Sequence, residues 1–158
     1  MTTLSLVIAF GVRCLLVVLF LPFSALDKII NFSGAVKQAG EVVASARVAR
    51  SLICVGLLVE IVMSLGVITG VADRLAAFVL AGYCGTTALL WKQFWKPGDF
   101  FVRGESRARE LFWDFLKNFS LAGGFLLVTF GTSVDGIRAF LAHPTASSHP
   151  YRIETPVR

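Results

Sequence analysis

The sequence predicts an all-α, polytopic membrane protein: a bundle of four transmembrane helices with no soluble domain. Three observations carry that expectation. Hydrophobic residues make up 56% of the chain and charged residues only 16%, whereas a soluble globular chain is nearer half and a quarter. Mean hydropathy is +0.75. Four apolar runs recur, each close to the roughly 20 residues that a helix needs to cross a hydrocarbon core of about 30 Å. They lack period-2 alternation. Because lipid leaves no backbone polar group unpaired, such runs are helices rather than barrel strands.

The first span is placed at residues 4–26, interrupted by Arg13 and Pro22. It has no basic leader, and cleavage after Ala25 would put Phe23 where a small side chain is needed, so it reads as a span and not a signal peptide. The second span, residues 51–72, carries one charge, Glu60. The third, residues 75–95, follows a tight link of little more than Asp73 and Arg74, which imposes a helical hairpin. The fourth covers residues 117–134, with Lys117 at its mouth. Residues 1–142 then form a single transmembrane domain. Residues 143–158, rich in Pro, Ser, His and Thr, read as a flexible polar tail.

The connections differ in kind. Residues 27–50 are polar and mixed, and their second half suits a short amphipathic helix at the interface. Residues 92–117 carry Trp95, Phe100, Phe101, Phe112 and Trp113, side chains favoured at headgroup level, so this stretch is expected on the membrane surface. Ten of the fifteen basic residues fall in these two connections, and four fall on the opposite side: Arg74, Arg138, Arg152 and Arg158. The positive-inside rule places the ten in the cytoplasm and both termini outside, periplasmic in a bacterial inner membrane. The formal charge of +5 therefore reports topology, and no nucleic-acid surface is indicated.

Chemistry is concentrated in a few intramembrane charges. A carboxylate at Glu60, roughly 14 Å deep at about 1.5 Å per residue, must be neutral, paired or in a wet cavity. Arg13 lies at similar depth in the antiparallel first span, so an Arg13–Glu60 pair is within geometric reach. Such a pair either lines a site for a proton, a quinone or a small solute, or fixes helix register. Lys28, Lys117 and Asn118 sit near the cytoplasmic mouths, either snorkelling to headgroups or forming a polar cluster. Gly66 and Gly70 form a GxxxG spacing, and Gly123 and Gly124 offer another small surface, which point to close helix packing. Cys14, Cys54 and Cys84 stand in apolar runs with no CxxC pair. The only histidines, His143 and His149, lie in the tail, so no span supplies a haem or zinc ligand set. No metal site is expected, and no cofactor bound by this chain alone. A quinone remains the candidate for a shared site, and bound lipid is expected around the spans.

Three stretches resemble the DoxX family of small four-helix membrane proteins. RCLLVVLFLPFSALDKIINF places Arg13 and Lys28 about the first span. LLVEIVMSLGVITGVADRLAAFVLAG contains Glu60, Gly66, Gly70 and Arg74. FLKNFSLAGGFLLV carries Lys117, Asn118, Leu121 and Gly123 at the opening of the last span. Ser24 stands near a position where relatives often have glycine, and the connection over residues 96–110 is longer and more basic than usual. The resemblance implies a four-helix bundle. Relatives are described as subunits of quinol or thiosulfate:quinone oxidoreductases and of other membrane redox assemblies. The expectation is an accessory subunit with other membrane proteins as partners and no catalysis of its own. The alternatives are a stand-alone carrier of protons or a small solute and, third, an enzyme acting on a quinone or a sulfur species.

Overall fold

The computed structural model describes residues 3–152 of the 158. Among the described residues the secondary structure is all helical, without strands. Four helical segments among the described residues are long and apolar enough to cross a membrane: Thr3–Ile30, Ala46–Thr69, Asp73–Trp91 and Arg107–Phe130. The chain is a multi-pass membrane helical bundle.

The first crossing has two parts. Helix α1 covers Thr3–Val17, a wide π-type turn covers Leu19–Ser24, and α2 covers Ala25–Ile30. Pro22 has no N–H to give the helix ladder, and Leu21 leaves helical geometry at φ −123°, ψ 110°. Beyond this kink, Ser24 and Lys28 lie one turn apart on the same side of the chain.

Helix α3 spans Phe32–Ala39. The short amphipathic helix thus occupies the first half of the 27–50 connection, not the second. The second half instead begins α4, Ala46–Thr69. The buried residues of α4 are Ala49, Gly56, Glu60, Ser64 and Val67, spaced by three, four or seven residues along one stripe. Gly70 ends the helix at φ +78°, a left-handed conformation that glycine adopts without a Cβ clash.

Helix α5, Asp73–Trp91, turns straight back along α4. Its buried stripe is built of small residues, Ala76, Ala77, Ala81, Cys84 and Ala88, around Leu80. Their size lets α4 and α6 approach closely. Helix α6, Arg107–Phe130, begins ten residues before the expected start of the fourth span. Ser106 caps it, its hydroxyl accepting from the Arg109 N–H at 3.2 Å. Asp99 adds a second cap, accepting from the N–H groups of Arg107 at 2.7 Å and Ala108 at 2.9 Å. The remaining loop, residues 92–106, folds over an aromatic cluster in which Phe94 meets Phe100, Phe112 and Phe115. Helix α7, Val134–Ala142, packs Phe140 on Phe78 and Phe130.

The core is thin. Val17, Phe20, Val67, Ala77, Leu80, Cys84 and Phe125 form its centre. Leu15, Val55, Leu58 and Leu127 are all more than half exposed. Such a surface suits lipid or partner helices as its surroundings.

Candidate functional site

Two buried ion pairs divide the polar interior. Neither is the expected Arg13–Glu60 pair. Glu60 is paired with Lys28, and Arg13 is paired with Asp73. The reason is axial register. The antiparallel course of α1 and α4 sets Arg13 against Val67, and only beyond the Pro22 kink does the first crossing reach Glu60.

The inner cluster surrounds Glu60, whose side chain is 1% exposed. Its Oε1 accepts from the Ser24 hydroxyl at 3.0 Å and the Tyr83 hydroxyl at 2.9 Å. The Lys28 ammonium donates to the same oxygen. It also donates to Ser24 Oγ at 2.8 Å and to Tyr83 at 3.4 Å, which uses its three N–H bonds. Gly56 makes room for Tyr83: a Cβ there would stand 3.1 Å from the phenol oxygen. The Phe20 ring packs edge-on to Tyr83 at 6.1 Å and covers the cluster. Glu60 Oε2 is buried and has no hydrogen-bond partner, and the same is true of Ser64 Oγ one turn along α4.

The outer cluster lies at the α4–α5 hairpin. Arg13 Nη1 donates to the Val67 carbonyl at 2.7 Å, and Nη2 donates to Asp73 Oδ2 at 2.6 Å. Asp73, fully buried, also accepts from the backbone N–H of Ser148 at 2.8 Å and from the Ser148 hydroxyl. Ser147 Oγ donates to the Gly70 carbonyl at 2.6 Å, and the Tyr151 hydroxyl donates to the Ile68 carbonyl. The terminal carbonyls of α4 thus receive Arg13, Tyr151 and Ser147, and the cation sits at the negative end of the helix dipole. Burial raises the Tyr151 phenol above its usual range, which keeps its proton available for that bond.

The tail expected to be flexible is therefore tied across the hairpin over residues 147–151; residues 153–158 of it lie outside the described residues. An open pocket of about 500 Å³ lies beside it, lined by Gly70, Ser147, His149, Tyr151 and Arg152 among others.

Lys117 and Asn118 join neither cluster. Lys117 faces outward with its side chain 72% exposed, 3.4 Å from Asp114. Asn118 donates to the Asp114 carbonyl at 2.9 Å and approaches Thr87 at 3.4 Å. Of the predicted packing glycines, Gly66 and Gly124 are at tight contacts: a Cβ would stand 2.9 Å from Ala76 Cβ and from Leu16 Cδ1, respectively. Gly70 instead terminates α4 and receives Pro150, and Gly123 faces open space.

Sequence reasoning missed Asp73, Tyr83 and Ser148, and noted Ser24 only as a departure from a family pattern. One signal was present. Asp73 is the sole acid between Glu60 and Asp99, and a buried arginine one helix away needs a counter-charge. Among the described residues, no group of three or more His, Cys, Asp or Glu is placed to hold a metal ion. The chain matches no family model, no curated protein and no solved structure, so its likeness to the DoxX family rests on the quoted residues alone.

Proposed function

We propose that this protein is an integral accessory subunit of a quinone-linked redox assembly in a bacterial inner membrane, with its termini on the periplasmic side. In this reading the Lys28–Glu60–Tyr83 cluster is the site where the subunit meets a quinone headgroup and exchanges its protons. One observation carries the reading. Glu60, buried midway along a span, loads three donors on one oxygen and leaves the other with none. A pair that served only register would gain by satisfying both oxygens, because an unpaired buried acceptor costs about 1–3 kcal/mol. The free oxygen suits a ligand hydroxyl, such as that of a quinol, or a proton. Lys28, Tyr83 and Ser24 now give their protons to Glu60 Oε1 and to one another, so a carbonyl would draw a donor from them only by replacing one of those bonds.

The thin core and the apolar outer surface of α6 suit a chain that scaffolds partner helices, and the resemblance to DoxX-family proteins points to the same kind of assembly. The test is extraction of the tagged protein in native nanodiscs, followed by identification of what co-migrates and a visible spectrum. A defined complex with haem or flavin absorbance, whose quinol-dependent turnover falls when Glu60→Gln is introduced, is the expected result. A colourless chain migrating alone would overturn the subunit reading in favour of a stand-alone proton or small-solute carrier.

A further inference from the structure

The two clusters are joined by one face of α4. Glu60, Ser64 and Val67 follow at spacings of four and three, so they lie on one stripe, and all three are buried at 1% exposure or less. Glu60 to Val67 covers roughly 10 Å at about 1.5 Å per residue. At the far end of that stripe the Val67 carbonyl holds Arg13, Arg13 holds Asp73, and Asp73 holds Ser148. Ser148 is only partly buried and stands beside the open pocket at the hairpin end. Polar groups thus recur along this face from the surface to the middle of the bundle, with gaps on either side of Ser64.

Two of these polar atoms have no protein partner, Glu60 Oε2 and Ser64 Oγ. They are one helical turn apart. In a protein surrounded by lipid, an unpaired oxygen at such depth is costly, and polar atoms of this kind are the ones that internal water satisfies. Water between them, and between Ser64 and the Arg13–Asp73 pair, would join the two clusters over the gaps that side chains leave open.

We infer that the file from Asp73 through Ser64 to Glu60 is a water-bridged proton path that opens at the hairpin end, by which Glu60 exchanges protons with the compartment faced by the C-terminal tail. The inference rests on the reading of Glu60 as a proton-exchanging group. The balance is simple. A proton leaves outer water, passes to the Asp73 carboxylate and by bridging water to the Ser64 hydroxyl, which releases its own proton as it accepts one, and a proton ends on Glu60 Oε2 by way of water. Glu60 becomes neutral, Lys28 keeps its charge, and no electron moves. Asp73 offsets the Arg13 charge, which alone would repel an incoming proton. The other titratable groups facing Glu60 are Tyr83 and Cys84 on α5 and Lys28 on α2.

The experiment uses the full chain, in the assembly with which it extracts, reconstituted in liposomes of one orientation. Infrared spectra follow the protonated-carboxyl band that Glu60→Gln abolishes, after an acid jump applied to the tail side or to the opposite side. Ser64→Val and Ser64→Thr have the same shape and differ by one hydroxyl. The tail-side jump should protonate Glu60 first. Ser64→Val should slow that step about tenfold, the equivalent of one lost hydrogen bond in the barrier, and Ser64→Thr should keep the original rate. Equal rates in the two variants, or faster protonation from the opposite side, overturn the path. The outcome is independent of whether a redox partner co-migrates, so the path and the subunit reading fail separately.

Discussion

Lys28 is satisfied only because three oxygens converge on it, from Ser24, Glu60 and Tyr83. Removing one ion of a buried pair leaves the other uncompensated, at a cost of about 3–5 kcal/mol, whereas removing both together with similar volume is far cheaper. Lys28→Met should therefore destabilise by about 3 kcal/mol, and Glu60→Gln by a comparable amount. The double variant should recover at least half of the summed loss. Denaturant unfolding in mixed micelles measures the cycle. Additive losses would mean that the two side chains do not act as a pair. The same logic separates the two clusters. Asp73→Asn should loosen the tail at Ser148 without changing the Lys28–Glu60 coupling, because no side chain is shared between them.

Among the elements, the hairpin of α4 and α5 is held by close backbone approach. Gly66 lies so close to α5 that a Cβ would stand 2.9 Å from Ala76 Cβ and 3.2 Å from the Val71 carbonyl, which is backbone and cannot rotate away. Gly66→Leu should cost about 1–3 kcal/mol as overpacking, read as a lowered melting temperature in detergent. The loop before α6 makes a different prediction. Asp99 accepts the N–H groups of Ala108 and Arg107, and these bonds hold its carboxyl below the usual carboxylate range. A depressed carboxylate contributes its stability above its unfolded value and loses it as pH falls through the folded one. Hydrogen exchange of the Arg107 and Ala108 amides should therefore quicken below the ordinary carboxylate range, and Asp99→Asn should remove that acid dependence. This level also shows what the sequence concealed. The four crossings were legible because apolar runs of sufficient length admit one solution in lipid. The start of α6 was not, because hydropathy reports contact with lipid rather than backbone conformation, and Arg107 to Lys117 is helical yet charged. The Arg13–Asp73 pair was hidden by axial register, which a one-dimensional depth count across a kinked helix cannot supply. The fastening of the tail was hidden more deeply, since Ser147 answers a carbonyl 77 residues away.

For the molecule as a whole, the question is what covers α6. Only 6% of its most apolar window is buried within the chain. Trp113, Leu116, Phe119 and Leu127 are exposed, and Gly123 has no atom within 4 Å of an added Cβ. Gly124, its neighbour, is held against Leu16 of α1, so α6 has one glycine turned to its own bundle and one turned away. Lipid alone gains little from an outward glycine, while a partner helix gains close approach of backbones. Gly123→Trp separates these cases. Its Cβ meets no atom within 4 Å and the ring projects from an exposed position, so stability of the isolated subunit should change by no more than about 0.5 kcal/mol. If a partner helix lies on this face, the bulky ring forces it off, and native mass spectrometry should show the assembly of the parent protein replaced by the free subunit. An assembly of unchanged mass would mean that lipid covers α6 and that partner contacts, where they exist, are made through other faces of the bundle.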